Sequence, residues 1–363
     1  MPNETIYTYE ALYKFTYDVF QKIGCNDKDA TTATTVLLSA DLRGVDSHGI
    51  ARLIGYVRLW EAGRINPTPN IKIIHETPST ALIDGDAGLG LVVAPYAMQV
   101  AIEKSTTAGT GWVAVKNSNH FGIAGIHAMM ALPYDMTGIA MTNASALVAP
   151  TFSDEKMLGT NPIAVAIPAG EEPAFVADFA TTTAANGKLE ILQRKNQDTP
   201  SGWVQDQDGN ASTDANILKK GGALLPLGSD REHSSHKGYA LGSLVDIFTS
   251  VFSGASYGPW APPFPAYVPM PQNMPGEGLG HFFGAIRNDA FRPIEEHKKH
   301  MDIWIQRFRN AHPIDENIPV LIPGDPEREM EAIRIKDGIP LLDPVIADLK
   351  SVAEKLAIPQ DLF

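Results

Sequence analysis

The chain has 363 residues, of which 44% are hydrophobic, so it can bury a large core and should divide into two or three structural units. Its 42 acidic and 29 basic side chains leave a formal net charge of −13, which argues against a nucleic acid or an anionic membrane as partner. Cys25 is the only cysteine, which excludes an intrachain disulfide and a thiolate-rich metal site.

Targeting signals are not evident in the sequence. The N-terminus lacks the basic-then-apolar pattern of a signal peptide, and no apolar run approaches the length of a membrane span. We therefore expect a cytoplasmic protein without a membrane partner. Residues 5–62 carry helical patterns, with a first helix from Tyr9 to Gly24 and a later one, DKDATTATTVLLSADLRG, closed by Gly44. The proline-containing segment 66–70 predicts a boundary near residue 70.

From residue 71 onwards, short apolar runs alternate with helical patterns, which favours a largely parallel sheet covered by helices. The predicted strands are 71–74, 80–83, 112–115, 138–141, 163–167, 175–178, 282–286 and 320–322. Helices are predicted at 92–106, from 123, and at 183–195, 237–253, 295–312 and 344–356. The proline-dense segment 259–275 predicts a long ordered loop or a lid.

The stretch DSHGIARLIGY collects several reactive side chains at an expected helix start. Asp46 or Ser47 is the predicted N-cap, which would place His48 in the first turn, where the helix dipole keeps imidazole neutral. Arg52 and Tyr56 follow at intervals of four residues and should share its face. Such a face could bind a carboxylate through Arg52 and remove a proton through His48. The alternative is a capped surface helix with a salt-bridged arginine.

Two segments could bind a dinucleotide. Residues 85–90, GDAGLG, follow a strand but have the spacing G-x-x-G-x-G, which fails the Rossmann fingerprint and predicts a tight turn. Residues 117–122, NSNHFG, follow the strand 112–115, at the edge where ligands bind to open α/β sheets. His120 is the reactive group of this loop. The alternative is that Asn and Ser cap the next helix and His120 packs under Phe121.

Three later segments, 159–162, 178–182 and 236–239, place amides, hydroxyls and Lys237 next to strand ends or at a helix start. Lys237 could contact a phosphate there.

A possible metal cluster and a possible hydrolase site are weaker. Residues 295–302 carry carboxylates and imidazoles three or four positions apart, but Lys298 and Lys299 between them favour a solvated face. A serine hydrolase would use Ser47 as nucleophile. The G-x-S-x-G elbow is missing from the sequence, and adjacent side chains such as Ser47 and His48 point apart on a helix.

Six segments, in the order DSHGIAR, NSNHFG, LGTNPIAVAIP, DFATTTAANGK, HKGYAL and LIPGDPE, resemble the malate/L-lactate dehydrogenase family of the non-Rossmann type over about residues 9–356. Relatives in that family include sulfolactate and ureidoglycolate dehydrogenases, 2,3-diketogulonate reductases and cyclic imino-acid reductases. The resemblance implies a non-Rossmann α/β fold with a central sheet covered by helices. It further implies a mainly helical unit formed by residues 1–70 and joined by 285–363, a domain 71–284 that binds NAD or NADP, and a homodimer.

The resemblance also implies roles for individual residues. His48 and His120 take the acid/base positions, with Ser47 supporting His48. The substrate contacts are Arg52, Tyr56, Thr160 and Lys188. The nucleotide contacts are His120, Phe121, Gly122, Asp178, Phe179, Ala180, His236, Lys237, Gly324, Asp325 and Glu327, and no metal is implied. Lys188 stands where the imino-acid reductases have Asp, which favours a C–OH substrate.

These features predict an NAD- or NADP-dependent dehydrogenase that oxidises a small 2-hydroxy acid, with malate as the first candidate. Lactate, sulfolactate and ureidoglycolate dehydrogenases and a 2-oxo acid or imino-acid reductase are alternatives within the family. A serine hydrolase and a catalytically silent binding protein are the alternatives outside it. In the expected reaction, Arg52 binds the carboxylate and a neutral histidine takes the hydroxyl proton. Either His48 or His120 could be that base.

Overall fold

The structure, a computed structural model, describes residues 4–360 and residue 362. The predicted units 1–70 and 285–363 therefore fall within the described residues except at positions 1–3, 361 and 363, which lie outside them. Its helices are α1 (Tyr9–Lys22), α2 (Asp27–Leu42), α3 (Leu53–Glu61), α4 (Gly90–Ala108), α5 (Ala124–Met129), α6 (Asn186–Lys195), α7 (Ser235–Asp246), α8 (Ile294–Arg309), α9 (Asp325–Asp337) and α10 (Asp343–Leu356). Its strands are β1 (Glu4–Tyr7), β2 (Lys72–Glu76), β3 (Thr80–Asp84), β4 (Thr110–Ser118), β5 (Met136–Thr142), β6 (Ile163–Ile167), β7 (Phe175–Phe179), β8 (Val204–Gln205), β9 (Ala211–Ser212), β10 (Ala223–Leu224), β11 (Leu279–Arg287) and β12 (Ile339–Leu342).

The central sheet has the strand order β2-β3-β4-β11-β5-β6-β7. Its one parallel pair is β3 with β4, joined by α4, and its other neighbouring strands are antiparallel. The prediction of a largely parallel sheet is therefore wrong. Strands β4 and β5 do run in the same direction, as a strand–helix–strand pattern predicts, but β11 lies between them and is antiparallel to both. Helices α4 and α5 pack on this sheet, which confirms the predicted α/β fold with a covered sheet.

The two ends of the chain share one hydrophobic core. Buried side chains of α1 and α2, among them Leu12, Phe20 and Leu37, belong to the same cluster as Leu349 and Val352 of α10. Strand β1 pairs with β12 in an antiparallel ribbon. The predicted helical stretch from residue 5 misses β1, because the partner of this short strand lies at the far end of the chain. The division into domains stays a prediction.

Helix ends follow the local sequence. Thr8 accepts a hydrogen bond from the backbone of Ala11 and caps α1, and Asn26 accepts one from Asp29 and caps α2. Gly44 follows α2 with a φ of +77°, which closes this helix as predicted.

The proline-dense segment 259–275 is irregular as predicted, apart from the short 3₁₀ turn Gly258–Trp260. Near the C-terminus, one predicted strand is absent and one helix was not predicted. The predicted strand 320–322 is unpaired coil. Helix α9, which the sequence pattern does not predict, begins directly afterwards with Asp325 and Pro326 in its first turn. In residues 4–360 and 362, no helix combines the length and apolar character needed to cross a membrane.

Candidate active site

The helix after α2 begins later than the sequence suggests. Residues 46–49 form an irregular turn, and a 3₁₀ turn, Ile50–Arg52, then continues directly into α3. The predicted N-cap at Asp46 or Ser47 is therefore wrong, because the Asp46 carboxylate instead pairs with Arg334 of α9. The histidine of this turn lies outside the helix, so the dipole cannot be what keeps it neutral.

A buried carboxylate, Asp41 of α2, holds this turn in place. Its Oδ2 accepts a hydrogen bond from the backbone N–H of Ile50 at 2.7 Å. Gly49 packs against the same group, since a Cβ at this position would lie 2.2 Å from the carboxylate. Burial raises the pKa of Asp41 to about 8, against an ordinary value of 3.8. The turn is thus fixed by a residue that the motif itself does not contain.

Within the turn, Ser47 and His48 contact each other directly. Ser47 Oγ lies 2.8 Å from His48 Nδ1. The expectation that these adjacent side chains point apart is wrong, because it assumed helical geometry. In the described part of the chain, no carboxylate is hydrogen-bonded to the His48 ring. A serine hydrolase built on Ser47 therefore lacks the orienting acid of a triad.

Two imidazoles from different parts of the fold meet here. The rings of His48 and His120 stack with centroids 5.6 Å apart and planes 22° apart. Tyr56 Oη lies 2.7 Å from His120 Nδ1, and the backbone N–H of Gly122 points at the same nitrogen from 3.3 Å. The structure thus brings together the turn after α2, helix α3 and the loop after β4, as the predicted site requires.

The loop that carries His120 is held by buried neighbours. Phe121 is fully buried, with its ring centroid 4.7 Å from that of His127 and 4.9 Å from that of His281. No side chain caps α5, and Asn119 instead donates to backbone carbonyls of the segment 85–90. The alternative in which Asn and Ser cap the helix is therefore wrong.

The segment 85–90, which lacks the Rossmann spacing, packs under the loop that carries His120 and supports it. A Cβ on Gly90 would lie 2.1 Å from the Asn119 carbonyl oxygen, so only glycine allows the turn to pack under the loop. These residues do not line the cleft described below. The predicted tight turn is thus confirmed, and its glycines serve packing.

Both imidazoles are neutral at pH 7. Burial, reinforced by the positive charge of Arg52, lowers the pKa of His48 to about 4. Burial, followed by the neighbouring His48 and Arg52, holds the pKa of His120 well below its ordinary value. Burial raises the pKa of Tyr56, which therefore keeps its phenolic proton. The prediction of a neutral imidazole is confirmed, but desolvation is the cause and the helix dipole is not.

The Arg52 guanidinium is hydrogen-bonded to two groups of the protein itself. Its Nε donates to the Ser47 carbonyl oxygen at 2.6 Å. Its two terminal nitrogens lie 3.2 and 3.1 Å from the two carboxylate oxygens of Glu190 on α6. This two-pronged geometry is the one in which an arginine grips a substrate carboxylate.

An aromatic side chain from the proline-dense segment covers the site. The Phe264 ring centroid lies 4.9 Å from that of His120 and 5.4 Å from that of Tyr56, and 5.9 Å from Arg52 Cζ. The backbone N–H of Phe264 donates to Ser145 Oγ at 2.9 Å, which anchors the segment. The predicted long ordered loop therefore contributes one wall of the site.

A cleft of about 620 Å³ opens beside His48. Its lining includes nine of the predicted site residues, namely Ser47, His48, Gly122, Thr160, Asp178, Phe179, Ala180, Lys188 and Glu327. Asp178 Oδ2 accepts a hydrogen bond from the backbone N–H of Gly125 at 2.7 Å, and burial raises the pKa of this carboxyl to about 6. Lys188 is exposed and lies with its Nζ 6.0 Å from the Trp203 ring centroid.

The other predicted residues do not line this cleft. Arg52, Tyr56, His120 and Phe121 lie behind it, around the stacked imidazoles. His236 and Lys237 are exposed at the start of α7, where His236 Nδ1 lies 3.0 Å from Arg231 Nη1.

Near α9, only Glu327 reaches the cleft. Gly324 precedes the helix with a φ of +99°. The Asp325 carboxylate accepts hydrogen bonds from Arg309 and Arg328, so it ties α8 to α9. No role at a nucleotide is evident for this carboxylate from its contacts.

The cluster on α8 is a surface network. Asp302 accepts hydrogen bonds from the backbone N–H groups of residues 170–172, and Glu296 pairs with Arg292. Across residues 4–360 and 362, no group of three or more His, Cys, Asp or Glu side chains is arranged to hold a metal ion.

Four residues of the site are not predicted from the sequence: Asp41, Arg43, Glu190 and Phe264. Arg43 lines the cleft and pairs with Glu331 at 2.9 Å. Glu190 lies two positions after Lys188, just beyond the segment DFATTTAANGK, and Phe264 lies within the predicted lid. The sequence does not predict their partners, because the contacts of Arg43, Glu190 and Phe264 join distant parts of the chain and Asp41 reaches Ile50 only through the irregular turn.

Comparison with known proteins places the chain in a family. Residues 7–350 match the model of the malate/L-lactate dehydrogenase family. The chain is 41% identical to a malate dehydrogenase of Pyrococcus horikoshii, over 96% of this chain and 95% of that protein. It is 38% identical to an L-sulfolactate dehydrogenase of Methanocaldococcus jannaschii, over 95% of each.

A solved structure agrees with the sequence relatives. The crystal structure of malate dehydrogenase from Entamoeba histolytica matches with a TM-score of 0.91 and 33% identity, over 99% of this chain and 100% of that one. The serine-hydrolase alternative is therefore wrong. The chain belongs to the malate/L-lactate dehydrogenase family and is an oxidoreductase of the class that acts on the CH–OH group of hydroxy acids.

Proposed function

We propose that this protein oxidises malate to oxaloacetate, with NAD or NADP as hydride acceptor. The observation that carries the proposal is the stack of two neutral imidazoles, His48 and His120, next to the Arg52 guanidinium at the edge of the cleft. The identity of 41% to a malate dehydrogenase, against 38% to a sulfolactate dehydrogenase over a similar length, makes malate the first candidate and sulfolactate the second.

A nicotinamide cofactor is implied by the family, and the residues of the cleft fit one. Asp178 and Glu327 offer carboxylate oxygens suited to ribose hydroxyls, while Ile123 and Leu227 offer apolar walls suited to flat rings. Gly125 lets the chain pass close to Asp178, since a Cβ there would lie 2.8 Å from Oδ2. When bound, the nicotinamide supplies the acceptor for the hydride of the substrate carbinol carbon.

The chain's own groups would bind the substrate and remove its proton. Arg52 presents two parallel N–H donors that match the carboxylate of a 2-hydroxy acid. Phe264 covers this region and limits access of water. Thr160 and Lys188 line the adjoining cleft, where they can contact the far end of the substrate.

The hydrogen bonds of the two histidines indicate which one accepts the substrate proton and which one donates to the substrate oxygen. Tyr56 O–H and Gly122 N–H both point at Nδ1 of His120, so neutral His120 carries its proton on Nε2 and donates to the substrate oxygen. In the described residues, the His48 ring is hydrogen-bonded through Nδ1 to Ser47 Oγ alone, which leaves the Nε2 lone pair available when Ser47 accepts. We therefore assign the base to His48 and the donor that polarises the oxygen to His120.

A nicotinamide absorbance screen tests this proposal. The purified protein is assayed with malate, lactate, sulfolactate and ureidoglycolate, each with NAD and with NADP, and in reverse with the 2-oxo acids. We expect the highest kcat/KM with malate and oxaloacetate. Turnover of none of these acids with either cofactor would overturn the proposal, and a higher kcat/KM with another acid would reassign the substrate.

We also propose a homodimer and a reducing, cytoplasmic setting. Leu244, Ile247, Val251 and Phe252 are 50%, 42%, 54% and 58% exposed on successive turns from the end of α7 onwards. A contiguous apolar patch of this kind supports an interface with a second copy. The single thiol, Cys25, is buried and unpaired, which supports a compartment without disulfide formation.

A further inference from the structure

Glu190 occupies the position that a substrate carboxylate needs. Its two oxygens face the two terminal nitrogens of Arg52, as the carboxylate of a 2-hydroxy acid would. Asn186, one turn earlier on α6, donates to Glu190 Oε1 at 2.9 Å and supports this arrangement. An arginine neutralised in this way offers little attraction to a second anion. The substrate carboxylate can pair with the two terminal nitrogens of Arg52 only if Glu190 moves away from them.

Helix α6 packs closely on the turn that carries Ser47 and on Arg52. A Cβ on Gly187 would lie 2.3 Å from Ser47 Cβ and 3.2 Å from Arg52 Nη2. The helix therefore presses directly on the residues proposed to hold substrate, which makes the Glu190 contact an exchange with substrate rather than an addition to it.

The structure offers the displaced carboxylate a second partner. A second cavity of about 310 Å³ adjoins α6, with Ser47, Gly187, Glu190, Arg194, Lys195 and Arg334 in its lining. Arg194 is four residues after Glu190 on the same helix, the spacing at which a glutamate pairs with a following arginine. No salt bridge to Arg194 is formed within the described residues. Glu190 can thus exchange one arginine for another.

We propose that the Glu190 carboxylate competes with the substrate carboxylate for Arg52. Substrate binds when Glu190 moves from Arg52 to Arg194. This inference rests on the proposed role of Arg52 as carboxylate clamp. Glu190 then sets substrate affinity and discriminates against weakly held carboxylates. It is a positioning residue, because it touches Arg52 and not the reacting atoms.

Steady-state kinetics of three variants test the exchange. We expect Glu190→Gln to lower KM for malate about tenfold and to leave kcat within about twofold of the wild-type value, because the Arg52 guanidinium no longer pairs with a competing anion. Arg194→Ala should raise KM, because Glu190 loses its second partner. The double variant should behave like Glu190→Gln alone, because Arg194 acts only through Glu190. Glu296→Gln, which removes an equal charge from the exposed pair with Arg292, should leave KM unchanged.

A binding measurement supports the kinetics. Propionate, an unreactive carboxylate, should inhibit the Glu190→Gln variant at lower concentration than the wild type. If that variant does not fold, Asn186→Ala, which removes the hydrogen bond to Glu190, should shift KM in the same direction.

Two sets of results separate the inference from the proposed function. An unchanged or higher KM for Glu190→Gln, or an effect of Arg194→Ala that persists in the double variant, would overturn the exchange. An unchanged KM in Arg52→Ala would instead overturn the clamp itself and leave malate oxidation to be judged by turnover alone.

Discussion

At the scale of single residues, desolvation sets the chemistry of the site. His48 and His120 are neutral because they are buried close to each other and to Arg52, and protonating either would place a second positive charge there. A neutral histidine can accept the substrate proton throughout the physiological pH range. The residue types of the motif were sufficient to predict a neutral base, but its physical cause required the structure.

A pH profile tests this cause. Because the pKa of His48 is lowered to about 4, kcat/KM for malate oxidation should be constant from about pH 8 to about pH 5 and fall below it as His48 is protonated. Arg52→Ala removes a positive charge that lowers this pKa, so its acid limb should move to higher pH. Circular dichroism at each pH verifies that the protein is folded. An acid limb near pH 6.5 in the wild type, the ordinary histidine value, would contradict the assignment.

At the scale of elements, one buried carboxyl holds the turn that carries Ser47 and His48. Asp41 has a pKa of about 8, so it binds its proton more tightly in the folded than in the unfolded protein, where the value is 3.8. Its contribution therefore favours folding at low pH and is lost as the pH rises from about 4 to about 8. Considered by itself, Asp41 thus makes folding of the turn less favourable at neutral than at acidic pH.

Asparagine at this position separates charge from geometry. Asp41→Asn keeps an oxygen that can accept from the Ile50 backbone and cannot ionise. We expect the change in the free energy of unfolding from pH 4 to pH 8, measured by urea titration, to be more positive in this variant than in the wild type, because the decrease due to Asp41 is absent. Asp208→Asn, at an exposed position, should follow the wild-type curve. Identical slopes for Asp41→Asn and the wild type would show that Asp41 stays ionised.

Most elements of the central sheet could be predicted from the sequence. The predicted strand 163–167 matches β6 in full, and the predicted helix 344–356 differs from α10 by one residue, because their apolar periods are local properties. The order of strands could not be predicted, since β11 inserts between β4 and β5 from far along the chain. The helix start near Asp46 was misplaced because its capping side chain pairs with Arg334 instead.

At the scale of the whole molecule, the site forms where two regions of the fold meet. His48, Arg52 and Tyr56 come from the region whose core joins both chain ends, and His120 comes from the loop after β4 of the central sheet. Glu190 and Phe264 complete the site from two further elements. The site thus requires several distant segments at once, which explains why the family resemblance extends over six of them.

Assembly can be tested on the exposed apolar patch. Val251→Glu introduces a charge at a position that is 54% exposed within the proposed interface, so burying it against a second copy would be costly. We expect sedimentation velocity to show a dimer for the wild type and a monomer for this variant. Tyr134→Glu, at an equally exposed position elsewhere, should remain dimeric. A dimeric Val251→Glu would place the interface on another surface.

The paired imidazoles are proposed to carry out proton transfer in malate oxidation. The most direct measurement is kcat for malate, followed by nicotinamide absorbance, in His48→Gln and His120→Gln next to the wild type. We predict that each substitution lowers kcat about 100-fold or more while circular dichroism stays unchanged, as expected for loss of a general base or of the donor to the substrate oxygen. Turnover close to the wild-type rate in both variants would show that neither imidazole takes part in the proton transfer.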